Sequence, residues 1–397
     1  MTVRIREIRG YVVKMDQSYL GGGAQVVPDS ARGNYVRHTK YRSAYSTKSE
    51  TLLVRVTADD GTHGWGEAQA PLVPEVASTI VERLLGPFLI GADPMRTQSA
   101  WLDGYDAMRE RGHMNGYHLD AVAALDIALW DLKAKLLGVP VATLLGGRLR
   151  DRIPAYVSGL SAPDDASRVQ KVRRWLDEGH RSFKLPLGNG VREDELSFAT
   201  VRELVGPDAE LYVDAHWRYT VSQAIEVGER MQPHGLGFLE APIAPEDGPG
   251  QAEVARALSA PVAIGEELRT RYDFRDRLVG RSADIIQPDV GRMGITEAEG
   301  VNALAEAFHT PVALHLGVGL GIYIAAGIQV AAATRNFLTM EYQPGQLEVG
   351  NRLLVEPVEC DVDGYRIPEG PGLGVDIDLS LLADWTTSSW VIGGSDG

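Results

Sequence analysis

The chain has 397 residues, of which 44% are apolar and 23% are charged, and its net charge at pH 7 is −15. These values are typical of a globular protein with more than one domain, and the negative charge argues against binding to nucleic acid or to an anionic membrane. The single cysteine, Cys360, excludes an intramolecular disulfide and favours a cytoplasmic location. No apolar run approaches the ~20 residues of a membrane-spanning helix, and no signal peptide is apparent at the N-terminus.

The first third of the chain predicts a small α+β unit. Residues 3–13 alternate as a strand does, and residues 51–67 contain a hairpin signal. Residues 73–90 and 97–109 are predicted to be helices. The clearest helix covers 118–137, where leucines recur at spacings of four, three and four residues before a glycine and a proline end the pattern.

A basic segment precedes the hairpin. Residues 19–49 contain a glycine triplet and few apolar residues, and from Ala31 to Ser49 there is no acid. This part carries Arg32, Arg37, His38, Lys40, Arg42 and Lys48. One interpretation is a solvated surface loop. The other is a glycine-hinged lid that presents cations, and His38 with them, to an anionic ligand.

From about residue 153 the pattern changes to strand, loop and helix, repeated. Eight strands separated by helices indicate parallel strands with right-handed crossovers, and eight is the number that closes a TIM-type barrel. The predicted strands cover 153–159, 182–186, 210–215, 237–242, 261–267, 284–289, 311–315 and 337–342. Helices are predicted between them, for example over 166–179, 193–205, 220–231 and 296–309.

We therefore predict an α/β fold with three segments. Residues 1–125 would form an α+β capping domain, and residues 126–354 would form the barrel and carry the chemistry. Residues 355–397 would be a tail that returns to the capping domain. Polar residues cluster at the C-terminal ends of the predicted strands, where barrel enzymes keep their active sites.

Three acids end three consecutive predicted strands. Glu240 follows Asp214 by 26 residues, and Glu266 follows Glu240 by 26 residues. Because adjacent strand ends would bring these carboxylates together, and because like charges repel, we expect a cation between them. Ligation by oxygen alone favours a hard ion, and Mg²⁺ in particular. The alternative is that each acid forms its own salt bridge.

A candidate base ends the seventh strand. His315 follows Asp289, the end of strand six, by 26 residues. An adjacent carboxylate fixes the tautomer of an imidazole and raises its basicity, so this pair predicts a general base. The alternative is a structural histidine. Glu341 ends strand eight, where it could hydrogen-bond to substrate or to His315, or serve as a structural acid.

A second imidazole follows the first of the three acids. Residues two apart on a strand share a face, so His216 is predicted on the same face as Asp214. Strands three and seven are opposite in an eight-stranded barrel, so His216 and His315 should face each other across a ligand, one taking a proton and the other giving one. Alternatively, His216 is a fourth metal ligand. Lys184 shares a face with Pro186 at the end of strand two and is predicted to point toward the acids, where it could also bind substrate.

At these residues the chain resembles the mandelate-racemase-like branch of the enolase superfamily. The resemblance covers nearly the whole chain, including residues 128–147 (ALWDLKAKLLGVPVATLLGG), residues 285–297 (IIQPDVGRMGITE), the three acids and the glycine-rich tail. It implies a capping domain over a modified (β/α)7β barrel, one Mg²⁺, and abstraction of the proton next to a substrate carboxylate. It also implies a symmetric homo-oligomer. The roles implied are metal ligation by the three acids, proton abstraction by His315 with Asp289, and a hydrogen bond from Glu341 to the enolate.

The chain departs from the racemase pattern on strand two. Racemases of the branch carry a second lysine there, whereas this chain has Lys184-Leu185-Pro186. A 1,1-proton transfer needs a base on each face, so racemisation is placed in doubt. The histidine in Asp214-Ala215-His216 instead resembles that of the galactonate-type sugar acid dehydratases, where it protonates the departing hydroxyl.

The expected function is that of a hydro-lyase in carbohydrate catabolism, a Mg²⁺-dependent dehydratase of an aldonate or aldarate. Its product would be a 2-keto-3-deoxy sugar acid. An epimerase or racemase, or a sugar-lactone cycloisomerase with Lys184 or His216 as the second acid/base, is the alternative enzyme. A non-catalytic protein that binds sugar acids is the alternative outside enzymes, although a binding protein does not need an oriented base.

Overall fold

The computed structural model describes residues 3–16, 33–38, 41 and 43–394. Its first part forms an antiparallel sheet in which β4 lies between β1 and β5, and a separate two-stranded pair of β2 and β3. Strand β4 is buried along almost its whole length, which explains its unbroken run of apolar and small polar residues. The strands are β1 (Ile5–Met15), β2 (Tyr35–Arg37), β3 (Ala44–Ser46), β4 (Ser49–Ala58) and β5 (His63–Ala68).

Helices cover one face of this sheet, at the positions that the sequence predicts. They are α1 (Pro74–Ile80), a π-helical turn (Val81–Leu85), α2 (Gly86–Leu89), α3 (Thr97–Asp106) and α4 (Tyr117–Leu136), with a 3₁₀ turn at Arg109–Arg111. Helix α4 is buried from His118 to Leu132 because the sheet packs on one side and the barrel on the other. Its backbone lies directly against β5, since a Cβ on Gly66 would come within 1.9 Å of the Ala124 carbonyl oxygen.

The second part is a closed barrel of eight parallel strands, as predicted. Strand β7 pairs with β8 and with β14, which closes the barrel. A short strand, β6 (Arg152–Ile153), precedes it. The barrel strands are β7 (Ala155–Val157), β8 (Ser182–Pro186), β9 (Glu210–Asp214), β10 (Leu239–Glu240), β11 (Val262–Ile264), β12 (Ile285–Ile286), β13 (Val312–Leu314) and β14 (Phe337–Tyr342).

Helices surround the barrel. They are α5 (Val141–Leu144), α6 (Asp165–Asp177), α7 (Val191–Val205), α8 (Val221–Met231), α9 (Gly248–Ala257), α10 (Arg271–Gly280), α11 (Val290–Ala307), α12 (Gly321–Ala333) and α13 (Pro344–Asn351), with a 3₁₀ turn at Gln232–His234. Helix α11 begins before the predicted 296–309. Asp289 caps its first turn, and Gly294, at φ 81°, interrupts the helix beside the Asp126 carboxylate of α4. The apolar periodicity of α11 starts only after Gly294, so the sequence pattern placed the start of the helix too late.

The tail joins both parts. Its elements are β15 (Cys360–Asp361), β16 (Gly364–Arg366), α14 (Leu379–Trp385) and β17 (Thr386–Gly393). Strand β16 pairs with β6, and β17 pairs antiparallel with β1 at the edge of the N-terminal sheet. The predicted fold class is confirmed, while the boundaries of the three segments stay a prediction. Within the described ranges, no helix combines the length and the apolar character needed to cross a membrane.

Candidate active site

The carboxyl ends of the barrel strands border a cavity of about 1400 Å³. Most of the side chains predicted for the site line it: His38, Lys184, Asp214, His216, Glu266, His315 and Glu341. The other two, Glu240 and Asp289, are fully buried and hydrogen-bond to Lys184 and His315 respectively. The fold thus brings all nine predicted residues into one region.

The three acids come from neighbouring strands. Asp214 of β9 is paired directly with Glu240 of β10, and Glu266 lies two residues beyond the end of β11. Burial raises the pKa of both Asp214 and Glu240, because a carboxylate loses its hydration there. A cation at this position would therefore stabilise their charged forms.

Lys184 ties two of the buried carboxylates together. Its Nζ lies 2.8 and 2.9 Å from the two carboxylate oxygens of Glu240 and 3.2 Å from Glu341 Oε1. Gln287 Nε2 donates a further hydrogen bond to Glu240 at 2.7 Å. Burial alone would lower the pKa of Lys184, but the charges of Glu240 and Glu341 raise it well above its usual value. Lys184 is therefore a charged partner of the acids.

Asp214, Glu240 and Glu266 have the ligand chemistry that a magnesium ion prefers, although two of them pair with other side chains in the structure. Within the described ranges, no group of three or more histidine, cysteine, aspartate or glutamate side chains is arranged to hold a metal. Glu240 faces Lys184, and Glu266 faces His315 at 2.7 Å. Three carboxylates without sulfur are nevertheless the ligand type that Mg²⁺ prefers. Ligation by Asp214, Glu240 and Glu266 stays a prediction.

His315 lies between two carboxylates. Its Nδ1 is 2.6 Å from Asp289 Oδ2, and its Nε2 is 2.7 Å from Glu266 Oε2 and 3.8 Å from Glu341 Oε2. Burial alone would lower the pKa of His315, but the charge of Glu266 and the hydrogen bond to Asp289 raise it well above its usual value. The Nδ1 contact fixes the ring orientation and leaves Nε2 as the nitrogen that can exchange a proton with a ligand.

A buried network holds Asp289 in place. The Tyr323 hydroxyl donates to Asp289 Oδ2 at 2.8 Å and accepts a hydrogen bond from Gly317 N. The backbone N–H of Tyr323 donates to Glu67 Oε2 at 2.9 Å. Glu67 belongs to β5 of the capping domain, so that domain reaches the His315–Asp289 pair through α12. Burial raises the pKa of Glu67 to about 7.

His216 is positioned by a turn and not by strand alternation. Strand β9 ends at Asp214, and His216 adopts a left-handed conformation with φ 48°. Its backbone N–H donates to Asp214 Oδ1 at 2.9 Å, and its ring stacks on Tyr41 with a centroid distance of 4.2 Å. Burial lowers the pKa of His216 to about 4. The expectation that it shares a strand face with Asp214 does not describe this backbone, although both side chains line the cavity.

The basic segment contributes aromatic side chains to the cavity. His38 stacks on Tyr41, which in turn stacks on His216. Lys48 also lines the cavity and forms an ion pair with Asp16 at 2.9 Å. Arg32, Lys40, Arg42 and residues 19–31 lie outside the described residues, so the lid hypothesis stays a prediction.

Several residues of the site were not anticipated from the sequence. Gln287 could have been found, because it is two residues from Asp289 and therefore on the same face of a strand. Tyr323 had no comparable signal. Neither did Arg292, whose Nε donates to Gln69 Oε1 at 2.5 Å and whose Nη1 donates to the Glu266 carbonyl at 2.6 Å.

Two family models match the chain. Residues 167–381 match the enolase C-terminal domain-like model, and residues 35–146 match the mandelate racemase / muconate lactonizing enzyme N-terminal domain. Together they span the barrel and much of the capping domain.

Relatives named for two reaction types match the chain. A D-galactarolactone cycloisomerase of Agrobacterium fabrum is 36% identical, over 84% of this chain and 90% of the relative. A D-gluconate dehydratase of Thermoproteus tenax is 32% identical, over 84% and 69%. A crystal structure from Sinorhizobium meliloti, described as that of an isomerase, has a TM-score of 0.90 and 37% identity, covering 96% of this chain and 98% of the other.

Proposed function

Since this chain belongs to the mandelate racemase / muconate lactonizing enzyme family of enolase-like enzymes, we propose that it is a Mg²⁺-dependent sugar acid dehydratase. It would remove the proton next to the substrate carboxylate and eliminate the β-hydroxyl, to give a 2-keto-3-deoxy sugar acid. The observation that carries this proposal is the pair of imidazoles, His315 and His216, on one cavity that two of the three acids, Asp214 and Glu266, also line.

His315 is the proposed base. Asp289 holds Nδ1 at 2.6 Å, so the ring presents Nε2 to the cavity and accepts the α-proton there. In the structure that nitrogen faces Glu266, one of the proposed metal ligands. When held by Asp214, Glu240 and Glu266, Mg²⁺ would supply the positive charge that stabilises the enolate form of the carboxylate.

His216 is the proposed acid. It donates a proton to the β-hydroxyl as the carbon–oxygen bond breaks, so that water leaves and the electron pair of the α-carbon forms the double bond. The resulting enol takes up a proton at its β-carbon, loses the proton of its hydroxyl group and becomes the keto acid. Stacking on Tyr41 keeps the ring in one plane at the cavity wall.

Lys184 and Glu341 would orient the substrate. Lys184 binds Glu240 and Glu341 and carries its charge to the edge of the cavity, where it can attract an anionic ligand. Pro186 cannot transfer a proton, so strand β8 lacks the second lysine that racemases of the branch carry there. This supports elimination over a 1,1-proton transfer.

A sugar-lactone cycloisomerase is the second candidate, because the relative with 36% identity is named for that reaction. The same base would remove the α-proton, but the leaving oxygen would be part of a ring. The product would then keep the mass of the substrate, whereas dehydration removes one water.

A screen of sugar acids and their lactones with Mg²⁺ tests the proposal. Mass spectrometry of 2-keto products separates loss of water from ring opening. Exchange of the α-proton in deuterated water separates an enzyme from a binding protein. Absence of both exchange and product for every sugar acid would contradict the proposal.

A further inference from the structure

The cavity continues beyond the strand ends to a second wall. This wall is formed by the loop after β7, the first turns of α6, and helix α13. Among the three cationic side chains of α6 that line it, Arg174 is exposed and pairs with Glu178 at 3.1 Å, whereas Arg168 and Lys171 are less exposed. Because Arg168 and Lys171 are three residues apart in a helix, their side chains lie on the same face. Neither has a role in the proposed elimination.

Arg168 is a buried cation with incomplete pairing. It is only 5% exposed, and one Nη forms an ion pair with Asp165 Oδ1. Its Nε is buried and has no partner among the described residues. The same Asp165 oxygen also accepts a hydrogen bond from Ser197 at 2.7 Å, so its capacity is shared. A buried guanidinium with a free donor is unfavourable unless an anion completes it.

Lys171 lies one turn further along α6 with still less compensation. Its Nζ donates to the Ser161 carbonyl oxygen, and no carboxylate of the described residues lies within ion-pair distance. Burial, followed by the nearby charge of Arg168, lowers the pKa of Lys171.

The acids of this wall do not compensate the two cations. Glu193 and Glu348 are exposed at its rim. Asp164 is also exposed and accepts the backbone hydrogen bond of Ser167 as the N-cap of α6. The wall therefore holds Arg168 and Lys171 beside one carboxylate, Asp165, which is shared with Ser197 and partly exposed, in a protein with a net charge of −15.

We propose that Arg168 and Lys171 form a subsite for the distal carboxylate of the substrate, so that the enzyme acts on a dicarboxylic sugar acid or its lactone. This inference rests on the proposed function, because the near carboxylate must lie at the strand ends. A planar guanidinium beside an ammonium suits a terminal carboxylate, which an aldarate has and the matching aldonate lacks.

Binding to a variant without turnover tests the subsite. In the His315→Asn background with Mg²⁺, calorimetry would compare galactarate with galactonate and glucarate with gluconate. The two members of each pair differ in the oxidation of the terminal carbon. We expect the better-bound aldarate to bind at least about tenfold more tightly than its aldonate, as for charged hydrogen bonds in a buried site.

Substitutions then locate the preference. Arg168→Met or Lys171→Met should bring the ratio of the aldonate and aldarate dissociation constants close to one. Aldonate binding itself should change by no more than about twofold. Arg168→Lys should retain part of the preference for the aldarate. Arg173→Met is the matched control, because Arg173 is exposed on the same helix and does not line the cavity. If Arg168→Met does not fold, Lys171→Met still tests the inference.

Several outcomes would overturn the subsite. Equal binding of aldarate and aldonate would do so, as would an unchanged ratio in both methionine variants. Preferential binding of 6-phosphogluconate over glucarate would assign a phosphate instead of a carboxylate. Aldarate preference that depends on Arg168, in an enzyme that turns over no sugar acid, would leave the subsite standing and reject the proposed reaction.

Discussion

The two imidazoles of the cavity have pKa values that are shifted in opposite directions. His315, after β13, is placed between Asp289 and Glu266, and the negative charges raise its pKa well above the usual value. His216, after β9, packs against the ring of Tyr41, and burial lowers its pKa to about 4. For His216 the loss of hydration outweighs the nearby carboxylates, whereas for His315 the charge of Glu266 and the hydrogen bond to Asp289 outweigh it.

Elimination requires His315 to accept a proton and His216 to donate one. The two pKa shifts run against these proposed roles, because a raised pKa favours the charged form of His315 and a lowered pKa favours the neutral form of His216. A cation shared with Glu266 would remove the charge that keeps His315 protonated, and an anionic ligand beside His216 would favour its protonation. We therefore expect His315 to lose a proton and His216 to gain one when Mg²⁺ and an anionic substrate bind.

The largest loss of activity should come from substitution of His315. His315→Asn removes the proposed base, so both α-proton exchange and turnover should fall about a thousandfold or more. Exchange into deuterated water measured by NMR, together with product formation, checks this. His309→Asn is the control, because His309 is exposed and lies outside the cavity. Persistence of exchange in His315→Asn would remove His315 from its role.

Removal of divalent metal should have an effect of similar size. Treatment with a chelator should stop α-proton exchange, because the Glu266 carboxylate would then again favour the protonated form of His315. Addition of Mg²⁺ should restore the exchange. The measurement is the exchange rate before and after addition. Full exchange in chelator would argue that the three acids do not act through a cation.

His216→Asn should separate abstraction of the α-proton from loss of the β-hydroxyl. The proposed acid acts after proton abstraction, so we expect dehydration to fall about a hundredfold while exchange at the α-carbon persists. Ring opening of a lactone should fall less, because a carboxylate leaves more readily than a hydroxide. Normal dehydration by His216→Asn would show that this residue does not protonate the leaving group.

Loss of the Tyr323 hydroxyl should weaken the support of His315. In Tyr323→Phe, Asp289 loses a hydrogen bond of 2.8 Å while the cavity wall keeps its shape. We expect kcat to fall about tenfold with KM little changed, since a positioning residue acts on the base rather than on the substrate. Tyr212→Phe, on β9, is a control with the same chemical change. An equal effect in the control would indicate general destabilisation.

The smallest loss of activity should come from substitution of Tyr41. Tyr41→Ala removes the ring that stacks on His216, and we expect kcat to fall by a few-fold. Tyr41→Phe should retain activity because it keeps the stacking surface. If the phenylalanine variant lost as much as the alanine variant, the hydroxyl rather than the stack would be responsible.

The sequence alone predicted the fold class and grouped nine candidate side chains that the structure places in one region. Strand alternation, helical spacing and eight repeated units are local properties, and parallel strands must present their carboxyl ends on one side of a barrel. Acids and imidazoles at those ends could therefore be grouped from their positions along the chain. Gln287 was within reach of the same argument.

Contacts between distant segments were decided only by the tertiary structure. Tyr323 reaches Asp289, and Glu67 reaches the backbone of Tyr323, because α12 packs between the barrel and the capping sheet. The stack of Tyr41 on His216 joins residues 175 positions apart. The charge of each imidazole also follows from these neighbours, because burial and nearby charge shift a pKa in opposite directions. A linear pattern records which ionisable groups are present, but their protonation depends on which of them meet in the fold.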